Sequence, residues 1–243
     1  MSNTQTCFQF PEIQIPEIQP KKPNIIISIE GNIGSGKSTL LYNLKTHYKG
    51  NPHFVFIKEP VDEWENITDE NNVTMLEKFY KDQEKYSFPF QMMAYISRLV
   101  ALKEAIQYNP GAIIITERSL YTDKMVFAKM LYDSDKIELI NYKIYLKWFD
   151  SFAEEFPIDK IIYVKAEPKI CENRITMRSR TGESGIALDY LVSCDAYHND
   201  MLDISKEDCV CKDQLVLDGN MDIYEMKPTM RNWISQINQF IFK

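Results

Sequence analysis

Gly31-Asn32-Ile33-Gly34-Ser35-Gly36-Lys37-Ser38 sits between the isoleucine-rich run Asn24 to Glu30 and a helical pattern that extends from Ser38 to about Tyr48. The octapeptide satisfies G-x-x-x-x-G-K-[ST] in the strand-to-helix setting that gives the pattern its meaning. Its glycines let backbone N–H groups wrap phosphate oxygens, and the helix behind them adds partial positive charge from its N-terminus. Lys37 is placed to reach the β- and γ-phosphates, and the Ser38 hydroxyl to ligate Mg²⁺. Gly31, Asn32, Ile33, Gly34, Ser35, Gly36, Lys37, Ser38 and Thr39 are therefore expected to line an ATP site. The cradle alone leaves the reaction open, because switches, motors and kinases share it.

The run before the cradle is apolar at successive positions, the mark of a strand buried on both faces of a parallel sheet. Phe54 to Lys58, Ala112 to Glu117, Lys160 to Lys165 and Gln214 to Leu217 repeat the signal. Helical patterns cover Val73 to Lys81, Pro89 to Tyr108, Tyr121 to Leu131, Asp135 to Phe156, Pro168 to Met177, Ile186 to Ile204 and Pro228 to Phe242. Several are expected to start at a proline or an aspartate, Pro89 and Asp135 among them. The alternation predicts one α/β domain over 24–243, a five-stranded parallel sheet flanked by helices, with its chemistry at the carboxyl ends of the strands. Residues 1–23, with the near repeat Pro-Glu-Ile-Gln-Ile-Pro-Glu-Ile-Gln-Pro at 11 to 20, read as a flexible tail.

A hydrophobic fraction of 44% and a charged fraction of 26% fit a globular domain and exclude a fibrous or wholly disordered chain. The longest apolar runs are strand-length, so no membrane partner is expected. A net charge of −7 argues against polymeric nucleic acid as a partner. Cys7, Cys171, Cys194, Cys209 and Cys211 make an odd count without a framework, which fits reduced thiols. The tail matches neither a transit peptide nor a secretory signal, so the cytoplasm is the expected location, with the nucleus left open.

Four further motifs narrow the class. Glu59-Pro60-Val61 follows the second strand, Phe90-Gln91 stands at the opening of the long helix, Glu117-Arg118-Ser119 ends the third strand, and Arg178-Ser179-Arg180 leads into a glycine-bearing loop. With Ile29-Glu30-Gly31-Asn32-Ile33 and Tyr121-Thr122-Asp123, this ordered set resembles the deoxyribonucleoside kinase family, in particular its deoxycytidine, deoxyguanosine and deoxyadenosine kinase branch, from about Ile25 to Ile223. The resemblance implies a P-loop kinase fold with an arginine-rich lid, ATP with Mg²⁺ as donor, a deoxynucleoside 5′-hydroxyl as acceptor, and a homodimer.

Roles can be argued residue by residue. Glu59, at a strand end facing the cradle, can accept the proton of the attacking 5′-hydroxyl. Glu117 sits where a carboxylate can hold Mg²⁺ beside Ser38, and Arg118 can hold Glu59 and the 5′-oxygen in line. Gln91, Ala94 and Arg98 fall at i, i+3 and i+7, so an amide and a guanidinium flank a small residue that leaves room for a ring. The resemblance implies that Asp123 pairs with Arg98, as in kinases that favour deoxycytidine or purine deoxynucleosides over thymidine. It also implies that Trp64, Phe90 and Phe127 enclose the base, that Tyr80 and Glu183 hold the 3′-hydroxyl, and that Arg174, Arg178 and Arg180 form the lid. Thr181-Gly182 replaces a longer acidic stretch of close relatives, which leaves lid mobility and donor choice open. Two rivals are a thymidylate-type nucleoside monophosphate kinase and a non-catalytic, kinase-like structural subunit. Glu59-Pro60 and the Gln91, Arg98, Asp123 set speak against the first; a subunit free of catalytic duty could lose Lys37, Glu59 or Arg118, and all three remain.

Overall fold

The isoleucines stack as a two-sided sheet in the computed structural model, which describes residues 23–178, 183, 185–221 and 227–243. Strands β1 (Ile25–Glu30), β2 (Phe54–Ile57), β3 (Ile113–Glu117), β4 (Lys160–Lys165) and β5 (Gln214–Asp218) all pair in parallel, in the order β2-β3-β1-β4-β5. The helices among the described residues are α1 (Lys37–His47), α2 (Val61–Glu65), α3 (Met75–Lys81), α4 (Gln83–Tyr108), α5 (Leu120–Thr122), α6 (Lys129–Asp133), α7 (Leu139–Phe152), α8 (Pro168–Arg178), α9 (Leu188–Met201) and α10 (Lys227–Ile241). Ile27, Ile29, Ile115 and Ile162 face one side of the sheet, where Leu40 and Leu44 of α1 and Trp233 and Ile237 of α10 cover them. Ile26 and Ile114 face the other side, under Tyr95 and Leu99 of α4 and Tyr145 and Phe149 of α7. Successive side chains alternate between these two apolar layers, which is why the strands read as unbroken apolar runs.

The chain leaves β1 for β2 and β3 on one side and for β4 and β5 on the other. A crevice therefore opens at the carboxyl end of β1, where the cradle emerges.

Several expected boundaries move, each for a local reason. The long helix does not start at Pro89: Asp82 caps it by accepting the Lys85 N–H at 3.2 Å, and Pro89 is its seventh residue. Phe90 and Gln91 accordingly lie a full two turns inside α4. The helix expected from Asp135 starts at Leu139, because Asp135 adopts a left-handed φ of 58° and the N–H groups of Lys136 and Ile137 both turn back to the Leu131 carbonyl. The helix expected over Tyr121 to Leu131 is α5, then a π-wound segment Asp123–Ala128, then α6. The short α2 is an addition to the expected elements. The expected tail, apart from Pro23, and Arg180 of the expected lid lie outside the described residues. No described helix is long and apolar enough to cross a membrane, and the four described cysteines are free.

His198 on α9 gives the fold an acid-sensitive point. It is fully buried, with Nδ1 2.7 Å from the Cys194 carbonyl oxygen and its ring edge-on to Phe127. Burial, with Arg118 adding repulsion, lowers its pKa to about 3. The unfolded imidazole takes up its proton near pH 6.5, so this stabilising contribution is complete above that pH and is lost as pH falls toward 3. Between pH 6 and pH 4 the wild type should lose about 1.4 kcal/mol per pH unit through this residue. Denaturant unfolding of His198→Gln should lack that increment; an identical pH slope in both proteins would reject the assignment.

Candidate active site

The carboxyl ends of β1, β2 and β3 open onto a cavity of about 590 Å³ that runs from the cradle to α4. At its donor end Gly31 has a φ of 141°, and a Cβ there would stand 2.4 Å from the Val164 carbonyl oxygen. Only glycine fits, so the cradle can press against β4. Asn32 fixes the loop from inside, its Nδ2 donating to the Leu191 carbonyl at 2.8 Å while its Oδ1 accepts the Ile33 N–H at 2.8 Å. Lys37 is buried and donates to the Asn32 carbonyl at 2.7 Å. Burial, reinforced by Arg118, pulls its pKa down to about 7. The Ser38 hydroxyl donates to Glu117 Oε1 at 2.6 Å, so a hydroxyl and a carboxylate oxygen meet at the foot of the cradle.

At the centre of the cavity Glu59 Oε1 lies 3.1 Å from Arg98 Nη2 and 3.5 Å from Arg118 Nη1. Burial pushes the Glu59 carboxyl up, but Arg118, Arg98 and Lys37 outweigh it and bring the pKa down to about 2. Glu59 is thus a carboxylate at any physiological pH. Arg98 reaches further: its Nε donates to Asp123 Oδ2 at 2.9 Å and its Nη1 to the Glu117 carbonyl at 2.7 Å. Asp123 is buried, and burial raises its pKa to about 6 against the pull of Arg98. Arg118 adopts a left-handed φ of 62°, which costs a non-glycine residue about 1–3 kcal/mol. Its N–H donates to the Ile29 carbonyl at 3.0 Å, its guanidinium carbon lies 5.1 Å from the centre of the Phe127 ring, and its buried Nε has no hydrogen-bond partner among the described residues.

At the acceptor end Gln91, Ala94 and Arg98 share one buried face of α4, and Gln91 Oε1 is buried without a partner among the described residues. Trp64 and Phe90 form the floor, edge to face at 5.6 Å, with the Trp64 indole N–H donating to Ser97 Oγ at 2.9 Å. Phe79 stacks on Phe90 at 4.5 Å, and Tyr190 meets Tyr80 edge-on at 6.3 Å; both line the cavity, and neither is among the residues expected from sequence. Phe79 and Leu76 do carry an i,i+3 apolar signal on α3, but that signal fits a core residue equally well. Burial, with Glu183 nearby, raises the Tyr80 phenol well above its ordinary value.

The lid arginines divide. Arg174 donates to the backbone carbonyls of Gly219 at 2.7 Å, Met221 at 3.1 Å and Ser35 at 3.4 Å, tying α8 to the cradle and to the loop after β5. Arg178 is exposed at the end of α8 and pairs with the buried Glu183.

Known proteins resemble this chain over most of its length. Residues 27–242 match the family model described as deoxynucleoside kinase. A probable deoxycytidine kinase of Fowlpox virus is 34% identical over 218 residues, covering 88% of this chain and 87% of the relative. The deoxycytidine kinase of Mus musculus is 34% identical over 196 residues, covering 72% and 74%. A putative kinase protein of Invertebrate iridescent virus 3 is 32% identical over 212 residues, covering 87% and 97%.

Because the Gly31 backbone and its missing side chain are both needed, Gly31→Ala should lower the unfolding free energy by about 2–5 kcal/mol. It should also abolish the thermal shift that ATP produces in the wild type. An alanine variant with wild-type stability and an undiminished ATP shift would show that the cradle has room to spare.

Proposed function

The chain belongs to the deoxynucleoside kinase family and is a phosphotransferase; from that premise we propose that it transfers the γ-phosphoryl group of ATP, with Mg²⁺, to the 5′-hydroxyl of deoxycytidine or a purine deoxynucleoside in preference to thymidine. The observation that carries this reading is the continuity of one cavity from the cradle to the Gln91, Arg98 and Asp123 cluster, with Glu59 between them. Several relatives are themselves named deoxycytidine kinases.

In this reading Glu59 receives the hydrogen bond of the 5′-hydroxyl and takes its proton as the oxygen–phosphorus bond forms. Arg118, Arg98 and Lys37 hold it well below the usual carboxylate range and so weaken it as a base, which makes orientation its main contribution and suits a loose transition state in which the proton leaves late. Arg118 holds Glu59 from the cradle side, and its unpartnered Nε is available to an oxygen of the reacting groups. Lys37 neutralises the phosphates, whose charge favours its ammonium form. The Ser38 hydroxyl and the Glu117 carboxylate form a hard oxygen pair suited to Mg²⁺, which when bound offsets charge on the phosphates. Tyr80 and Glu183 are assigned to the 3′-hydroxyl, and Arg178 with Arg180 to the lid over the triphosphate.

Base choice rests on fixed groups. Arg98 cannot turn, since Glu59, Asp123 and the Glu117 carbonyl hold three of its nitrogens. A thymine methyl group would meet that guanidinium, whereas the unpartnered Gln91 Oε1 awaits a donor such as the exocyclic amine of cytosine or adenine. Values of kcat/KM for deoxycytidine and thymidine in the wild type, Arg98→Met, Asp123→Ala and the double variant test this. The wild type should prefer deoxycytidine, and the double variant should shift the ratio toward thymidine. Arg98→Met should cost roughly 3–5 kcal/mol by leaving Asp123 buried without its cation, whereas Asp123→Ala should cost less, because Glu59 and the Glu117 carbonyl still hold Arg98. Arg98→Met also strips Glu59 of one cation, so the ratio rather than the rate is the readout. Wild-type preference for thymidine, or an unchanged ratio in the double variant, would sink the assignment.

A homodimer completes the proposal. Ile96 and Val100 of α4 and Ile140, Ile144 and Trp148 of α7 are each 42–62% exposed, on two helices that pack side by side. Both sets follow an i,i+4 spacing, so each helix presents an apolar stripe that a second copy can cover. Sedimentation should find a dimer for the wild type and a monomer for Ile144→Glu; a monomeric wild type would remove dimerisation from the reading.

A further inference from the structure

We propose that Glu30 is a positioning residue for phosphoryl transfer, linking the cradle that holds the donor to the segment that aligns the acceptor, through one hydrogen bond to Thr122. The inference rests on the proposed kinase function for what is being aligned, and on the geometry alone for how.

Glu30 is the last residue of β1 and directly precedes Gly31. It is completely buried and does not line the cavity, so it cannot touch a substrate. Its Oε1 accepts the Ser28 hydroxyl at 2.6 Å and its Oε2 accepts the Thr122 hydroxyl at 2.5 Å. Ser28 lies two residues back on the same strand and hence on the same face, where it fixes the carboxyl rotamer. Thr122 is the last residue of α5, immediately before Asp123. It is also half of a cap: its N–H donates to Ser119 Oγ at 3.2 Å, directly after Arg118.

The strained Arg118 backbone is thus braced on both sides. Its own N–H bonds the Ile29 carbonyl, one residue before Glu30, and the adjoining Ser119 to Thr122 turn is pinned by Glu30 itself. Two adjacent residues of β1 therefore set where Arg118 and Asp123 stand relative to the cradle. Among the described residues no lysine or arginine forms an ion pair with Glu30, so two hydroxyls alone answer a buried carboxyl. Stability does not explain such a group: a buried polar cluster of this size gains little over apolar side chains of the same volume, and Ile26, Ile114 and Leu120 already form an apolar layer on that face. What the cluster supplies is a fixed distance between two halves of one site.

The test compares Thr122→Val, Thr122→Ser and Glu30→Gln with the wild type, in kcat, in KM for ATP and for deoxycytidine, in calorimetric binding of each ligand alone, and in Tm. Thr122→Val removes the hydroxyl at nearly constant volume. It should lower kcat at least tenfold while each ligand alone binds within threefold of wild type. Thr122→Ser should stay within threefold of wild-type kcat, and Glu30→Gln should fall with Thr122→Val. The inference is overturned if Thr122→Val keeps kcat within twofold. It is equally overturned if the loss in Thr122→Val appears as weaker binding of both ligands and a lower Tm, the behaviour of a general packing defect. Should Glu30→Gln fail to fold, the Thr122 pair reads the bond from its other end together with the Ser119 N–H that the same hydroxyl accepts at 3.5 Å, and Thr122→Ser keeps both. A wild-type protein inactive on every deoxynucleoside would instead sink the functional reading, a result that a kcat defect confined to the variants cannot mimic.

Discussion

The guanidinium of Arg98 is the constraint on which the site depends. Three acceptors from three parts of the chain converge on it: the Glu59 carboxylate after β2, the Glu117 carbonyl at the end of β3, and Asp123 on the π-wound segment. Two unit charges at this spacing attract by about 5 kcal/mol at an effective dielectric of 20, while burying each ion costs several kcal/mol. A single pair would barely break even. The balance favours the folded site because one cation serves two carboxylates and a carbonyl, and because Arg118 supplies a second cation to Glu59. Remove Arg98 and Asp123 is left buried without an ion-pair partner among the described residues while the half-buried Glu59 keeps only Arg118, so the electrostatics of the acceptor pocket and of the reacting centre fail together.

The two halves of the cavity are braced by different physics. On the donor side the braces are backbone contacts: Gly31 against β4, the Asn32 side chain to the Leu191 carbonyl, and Arg174 to the carbonyls of Ser35, Gly219 and Met221. On the acceptor side they are charges and aromatic rings. A phosphate cradle must present the same N–H array to any triphosphate, and steric wedging holds such an array rigidly. An acceptor pocket must discriminate between bases of similar size, and fixed charges do this with few atoms.

Legibility in the sequence divides between local pattern and distant contact. Buried parallel strands, the glycine cradle and the i, i+3, i+7 face of α4 are local periodicities, so the sheet and the grouping of Gln91, Ala94 and Arg98 can be read directly. The start of α4 cannot, because a proline resembles a first helical residue, whereas the Asp82 cap that overrides it lies seven positions earlier. Arg98 to Glu59 spans 39 residues and no spacing rule announces it. Phe79 and Tyr190 are invisible for another reason: an aromatic on an apolar helix face looks the same whether it packs a core or walls a cavity. Arg174 and Arg178 share a helix face, yet one braces backbone and the other pairs with Glu183, a distinction made only by what α8 lies against.

The π-wound segment Asp123–Ala128 joins α5 to α6 and carries both Asp123 and Phe127 into the cavity. Such a segment holds one more residue per turn-to-turn bond than an α-helix, and the surplus is accommodated without breaking the rod. Its length is therefore fixed in both directions. Deleting one residue would return the stretch to α winding with its flanking helices in nearly the same phase, but would redistribute the side chains within it around the rod, taking Asp123 from Arg98 or Phe127 from Arg118. Exposed turns elsewhere in the chain can lengthen or shorten as lineages diverge, but here a single codon gained or lost would change which side chains face the bound molecule without altering one of them.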